Sequence, residues 1–89
     1  MGDLLALAET DPAEALRRLS PQLQLAGEEG LPALRAITGI ASSLAGDHAE
    51  ALTFLRKAEE HSAVPLDPEL RQPARAAYRD SIFVLVSAS

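Results

Sequence analysis

Two histidines are the most obvious candidates for chemistry in this 89-residue sequence. His48 and His61 lie thirteen residues apart on one predicted helix. At about 100° and 1.5 Å per residue, this spacing places their side chains about 20 Å apart and on different faces. A shared metal ion is therefore excluded. We interpret His48 as part of a helix start and His61 as a cation suited to the negative end of the helix dipole.

Other reactive groups have simpler explanations. Cysteine is absent, which removes thiolate nucleophiles, disulfides and thiolate metal sites. Asp47 and Glu50 form a carboxylate pair, but a helix cap accounts for both. Ser42 and Ser43 have no nearby base in the sequence, and the glycines at 27 and 30 flank two glutamates that would repel phosphate. We therefore predict that the chain is not an enzyme and holds no metal or cofactor.

The composition favours helices. Hydrophobic residues make up 47% of the chain, only three residues are aromatic, and most of the hydrophobic residues are Leu or Ala. Leu and Ala have high helix propensity, whereas strands prefer β-branched and aromatic residues. The net charge of −5 argues against a general nucleic-acid binder. This length suits one small domain, so we expect residues 1–89 to fold as a unit.

Capping residues and prolines divide the chain into four or five predicted helices. A short helix follows Asp3, a second begins at Asp11, a third begins near Leu31, and a fourth begins at Asp47. The last helix is predicted over about 73–87. Pro21 is expected to kink the second helix or restart it. Asp67 and Pro68 start another helical turn, which Pro73 is expected to break or restart.

Two of the predicted helix starts share one pattern. Residues 11–19 and 47–55 both follow Asp-x-Ala-Glu-Ala-Leu-x-x-Leu, at an offset of 36 residues. A period in the thirties on helix pairs is typical of an α-helical repeat. The alternative is that two capped, Ala- and Leu-rich helices look alike by chance.

The central part of the chain, residues 32–65, resembles a tetratricopeptide repeat (TPR). Small residues occupy the family's close-contact positions at Gly39, Ala51 and Ala58, with a large apolar residue between the last two at Leu55. Gly46 falls on the turn between the two helices of the unit. The first helix of the unit departs from the family pattern, because Arg35 stands where an aromatic residue is usual. A half-repeat before residue 32 and the predicted helix at 73–87 flank this unit.

The resemblance implies an all-α bundle of antiparallel helix pairs with a protein-binding role. Family members usually bind peptides in a groove lined by the first helices, which by position here includes Ile37, Ile40, Ser43 and Leu44. No Lys, Arg or Asn lines this candidate groove, so the basic clamp for a C-terminal carboxylate is absent. The resemblance thus implies an apolar helical or extended partner segment. The alternative is that the apolar members of this set belong to the core.

Five consecutive apolar residues, Ile82 to Val86, form the most informative segment. They suit either a short strand or the end of the last helix, and the helical spacing from Ala74 and Tyr78 favours the helix. Such a helix is apolar on all sides and must be covered from two directions. We expect the second cover to be another molecule or a continuation of a longer protein. The predicted protein interface comprises Tyr78, Ile82, Phe83 and Val86.

These observations predict a scaffold, adaptor or oligomerisation module with a protein partner, most simply a homodimer. The alternative is a regulatory or nucleic-acid-associated module that uses Arg71, Arg75 and Arg79, which recur every four residues. The N-terminus lacks the basic region of a secretion signal, and no apolar stretch approaches the ~20 residues that cross a membrane. We therefore expect a cytoplasmic protein without membrane contact.

Overall fold

A computed structural model describes residues 2–26, 31–60 and 68–88. These ranges fold into helices without any strand, which confirms the all-α prediction. The five helices are α1 (Gly2–Thr10), α2 (Pro12–Leu25), α3 (Leu31–Leu44), α4 (His48–Glu60) and α5 (Pro68–Ala88).

Aspartate caps start α2 and α4, as predicted. The side chain of Asp11 accepts a hydrogen bond from the backbone N–H of Glu14, and Asp47 accepts one from Glu50, each at 3.3 Å. The backbone N–H of each aspartate donates to a carbonyl of the preceding helix, at Leu7 for Asp11 and at Ser42 for Asp47. These contacts tie each new helix to the end of the one before it.

The two glutamates that follow the caps lie in opposite electrostatic surroundings. Glu14 forms ion pairs with Arg17 and Arg18, and 3.1 Å separates its Oε1 from the Nε of Arg18. Glu50 lies beside Asp47 instead. A side-chain hydrogen bond with Asp47 raises the pKa of Glu50, and burial and the negative charge of Asp47 act in the same direction.

Neither internal proline ends its helix, so the predicted break or restart at Pro73 was wrong. Pro21 lies within α2 and Pro73 lies within α5, and both helices continue past them. Each proline removes one backbone hydrogen bond to the carbonyl four residues earlier. Pro21 is exposed, so water can satisfy that carbonyl. The last helix therefore begins at Pro68, five residues before its predicted start at 73.

Helix α3 lies at the centre of the molecule and contacts each of the other four helices. It separates two clusters of buried side chains, one formed mainly with α1 and α2 and the other formed with α4 and α5. The first cluster contains Ala8, Ala15, Leu19, Leu34, Ile37, Ala41 and Leu70. The second cluster contains Ala36, Ile40, Ala51, Leu55, Ala58, Ala74 and Ala77.

A close approach between α3 and α4 depends on Gly39. A Cβ atom at this position would lie 2.6 Å from Cγ of Leu55 and 3.2 Å from the backbone oxygen of Ala51. Both distances are shorter than a comfortable van der Waals contact. The small residue predicted at position 39 therefore lets the two helices of this hairpin pack closely. Gly46, with φ of 93°, provides the left-handed residue in the turn between them.

Candidate functional site

Helix α5 extends past the end of the bundle. Ser81 is fully buried, and its hydroxyl lies 3.1 Å from Oγ of Ser43 and 3.1 Å from Nδ1 of His48. Ser43 lies near the end of α3 and His48 begins α4, so Ser81 is level with the turn that joins them. The remaining residues of α5 continue about 10 Å beyond this level, at about 1.5 Å per residue. We call residues 82–88 the α5 overhang.

The overhang carries exposed apolar side chains on all sides. Phe83 and Val86 are 71% and 69% exposed, and the other three side chains of the apolar run are 37–40% exposed. The segment is helical, which decides between the two conformations that the sequence allowed. Because α3 ends and α4 begins at the level of Ser81, each of the five side chains keeps at least 37% of its surface exposed.

An open groove of about 470 Å³ lies between α4 and α5, next to the overhang. Three residues of α5 that recur every four positions line it, namely Ala74, Tyr78 and Ile82. Leu55 of α4 and Ala74 form its floor and are only 2% and 7% exposed, so Tyr78 and Ile82 provide most of its accessible apolar surface. Ile82 belongs to both the groove and the overhang, so the two apolar surfaces are continuous.

Charged side chains rim this groove unevenly. Arg75 and Arg79 line it from α5, and Glu59 lines it from α4. Both arginines are exposed, and neither forms an ion pair or hydrogen bond with another residue in the described ranges. Arg71, the third member of the predicted basic stripe, is half-buried and does not line the groove. Because α5 is continuous, Arg75 and Arg79 lie one turn apart on the same side of the helix. Pro73 lies between Arg71 and Arg75 without interrupting the helix.

The predicted interface residues occupy adjoining parts of this region. Tyr78 and Ile82 line the groove, and Phe83 and Val86 lie on the overhang. Tyr78 is half-buried and packs against the cluster formed by α3, α4 and α5. The four residues therefore lie along the C-terminal half of α5.

The predicted groove on α3 is not an open surface in this structure. Ile37 is fully buried and Ile40 is 4% exposed, because α3 is the central helix and is covered on both sides. Ser43 is half-buried and bonded to Ser81, and Leu44 is 54% exposed at the helix end. The interpretation of Ile37 and Ile40 as groove residues was wrong, and the alternative assignment to the core applies to them.

The contact between His48 and Ser81 was not predicted. A serine beside a histidine is an arrangement used in nucleophilic catalysis, but the Ser81 hydroxyl is fully buried and inaccessible to a substrate in this structure. Its bonds instead hold α3, α4 and α5 in register. Ser81 follows Leu70, Ala74 and Ala77 on the buried side of α5. A polar residue at the next position of this apolar series was the sequence feature that could have indicated a buried hydrogen bond at Ser81.

The described residues contain no group of three or more His, Cys, Asp or Glu side chains placed to hold a metal ion. The predicted dipole histidine, His61, lies outside the described residues. None of the helices described is both long and apolar enough to span a membrane. No protein-family model, curated protein or solved structure matches this chain.

Proposed function

We propose that this chain is a TPR-like protein–protein interaction module that self-associates through the α5 overhang. The observation that carries this proposal is the exposure of five consecutive apolar side chains beyond the end of the bundle. Exposed apolar patches of about 300–600 Å² often mark interaction sites. The role is binding and not catalysis.

The helix contacts support a repeat architecture. Alternate helices contact each other in the order α1, α3 and α5, while each helix also contacts its sequence neighbour. In the described part of the chain, α2 and α4 do not contact each other. This pattern is typical of helix pairs stacked along one axis. The turn at Gly46 and the close contact at Gly39 occupy the positions that the resemblance assigned to them.

A second copy of the chain is the occupant that we propose for the overhang. Residues 81–89 carry no charged side chain, so two overhangs can pack together without like-charge repulsion despite the net charge of −5. Each overhang exposes five partly accessible apolar side chains, a smaller surface than the roughly 800 Å² that one partner buries in a standard interface. We therefore expect a weak dimer that forms in a concentration-dependent way, with the same surface used on both chains.

The substitution Phe83→Asp tests whether the overhang is the dimer contact. The substitution places a charge where an apolar side chain would be buried in the dimer, and it should abolish dimerisation. Light scattering after size exclusion, over a roughly hundredfold concentration range, measures the mass of each species. We expect the wild-type mass to rise with concentration and the variant to remain a monomer.

Leu25→Asp is the matched control for this experiment. Leu25 is an 87% exposed apolar residue at the end of α2, so the control adds the same charge at a helix end away from the overhang. The control should dimerise like wild type, and all three proteins should keep the same helical circular dichroism signal. A wild-type monomer at every concentration, or an unchanged dimer in Phe83→Asp, would refute self-association.

The location we propose is the cytoplasm, which is consistent with a sequence free of cysteine. The nucleic-acid alternative has less support than a protein partner. Only two of its three arginines line a common groove, and the opposite rim carries Glu59. A phosphate backbone would meet that carboxylate, whereas a protein segment can place different charges on its two flanks.

A further inference from the structure

We propose that the groove between α4 and α5 binds an amphipathic helix of a partner protein, with acidic side chains on one flank of that helix. The inference rests on the proposed interaction function and uses the groove beside the overhang, which includes Ile82 but not Phe83. It assigns the groove a heterologous ligand of defined chemistry. Two properties of the groove support it, namely the spacing of its apolar residues and the charges on its rims. The lack of charged side chains in the overhang supports it as well.

The apolar surface of the groove has the spacing that a helix recognises. Ala74, Tyr78 and Ile82 recur every four residues, which gives a stripe about 12 Å long on α5. Tyr78 and Ile82 are the accessible part of this stripe, whereas Ala74 and Leu55 of α4 are 7% and 2% exposed and form the groove floor. A helix that presents apolar residues at positions i, i+3 or i+4, and i+7 spans a similar length. A volume of 470 Å³ accommodates several such side chains.

The charges on the groove rims determine which charges the two flanks of the ligand helix should carry. Arg75 and Arg79 lie one turn apart on the α5 side, and neither has an ionic partner among the described residues. Acidic residues one turn apart on the ligand would match them. Glu59 on the α4 side would repel acidic residues there. The ligand is therefore acidic on one flank and neutral or basic on the other, which also fixes its direction in the groove.

A second copy of the overhang does not provide this match. Residues 81–89 contain no acidic side chain, so an inserted overhang would leave both arginines without a counter-charge. Charge complementarity therefore favours a distinct acidic partner in the groove, while the uncharged overhang suits self-association.

Tyr78 offers a direct readout of groove occupancy. It is the only tyrosine in the chain, and tryptophan is absent, so intrinsic fluorescence reports on this one groove residue. The probe is a synthetic helical peptide of about 14 residues without Tyr or Trp, with leucine at i, i+4 and i+7 and glutamate along one flank. A second peptide carries lysine in place of those glutamates. We expect saturable changes in Tyr78 fluorescence with the glutamate peptide, and binding about tenfold weaker with the lysine peptide.

Arg75→Glu/Arg79→Glu should weaken binding of the glutamate peptide at least about tenfold and favour the lysine peptide instead. Arg56→Glu/Lys57→Glu is the matched control, because it makes the same change in net charge at exposed positions of α4 that do not line the groove. This control should bind the glutamate peptide within about twofold of wild type. Circular dichroism confirms that each variant remains helical, and Arg75→Gln/Arg79→Gln provides a milder second variant.

Two outcomes would overturn the inference. One is equal affinity for the two peptides, and the other is an equal loss of affinity in the groove and control variants. Phe83→Asp separates this inference from the proposed dimer. It should abolish self-association and leave peptide affinity within about twofold, because Phe83 does not line the groove and an added exposed charge has a small effect. A wild-type monomer that still prefers the glutamate peptide would refute only the dimer, and a dimer without that preference would refute only the groove ligand.

Discussion

Gly39 shows how a single missing side chain can set the distance between two helices. Alanine at this position favours a helix by up to about 1 kcal/mol over glycine. The added Cβ would lie 2.6 Å and 2.8 Å from Cγ and Cδ2 of Leu55, a side chain that is only 2% exposed. Overpacking of this kind costs about 1–3 kcal/mol. The steric cost exceeds the propensity gain, so close packing decides the residue at this position.

We predict that Gly39→Ala lowers the free energy of unfolding by about 1–2 kcal/mol, measured by urea denaturation followed with circular dichroism. Leu55→Ala removes the two clashing atoms, so adding Gly39→Ala to that variant should cost nothing or restore some stability. This double-mutant cycle isolates the contact. A Gly39→Ala protein as stable as wild type would show that the helices can separate without loss.

The starts of α2 and α4 show how the same local sequence acquires different electrostatics. Glu14 and Glu50 hold equivalent positions after their aspartate caps, so the helix dipole favours both charges equally. Glu14 has two arginine partners, whereas Glu50 lies beside Asp47. The difference comes from the next turn, where Arg17 and Arg18 in α2 correspond to Thr53 and Phe54 in α4.

Glu14→Gln should therefore destabilise the protein by about 0.5 kcal/mol at neutral pH, whereas Glu50→Gln should cost less or stabilise it. The folded state raises the pKa of Glu50, so it binds a proton more readily than the unfolded state does. The wild-type stability contribution of Glu50 thus falls as the pH rises from the ordinary pKa of a glutamate to the raised value.

Thermal unfolding of the two variants at acid and neutral pH measures this difference. The stability of Glu50→Gln relative to wild type should increase as the pH rises through that window and then level off. A difference between Glu50→Gln and wild type that does not change with pH would contradict the raised pKa of Glu50.

The whole molecule is organised around α3, which belongs to both buried clusters. Loss of packing on either side of this helix removes support from the other side. We therefore predict that the chain unfolds in one cooperative transition, and that Ile37→Ala lowers its stability by about 2–5 kcal/mol. Ile37 is fully buried, so the substitution leaves a cavity in the first cluster.

Two probes test cooperativity in urea. Far-ultraviolet circular dichroism follows all helices, and Tyr78 fluorescence follows the second cluster, against which this side chain packs. The two transitions should coincide in wild type and in Ile37→Ala, although the substitution lies in the first cluster. Separate midpoints would show that the two clusters unfold independently.

The local sequence was sufficient to predict the helical class and both aspartate caps, whereas the close-contact role of Gly39 was implied by the resemblance to a TPR. Caps and turns depend on neighbouring residues, so they are visible in a linear pattern. The continuation of α2 and α5 past their internal prolines was not predictable from the local sequence. Local propensity favours a break at Pro21 and Pro73, whereas each helix continues on both sides of its proline in the structure.

The sequence by itself determined the chemistry of the candidate surfaces, since an uncharged apolar run and aligned arginines are properties of residue type and spacing. Only the tertiary structure decided which residues are accessible. Ile37 and Ile40 are buried because α3 is covered on both sides by other helices. Phe83 is exposed because α5 extends past the ends of the neighbouring helices. Burial depends on where helices from distant parts of the chain end relative to one another, and helical periodicity carries no information about that.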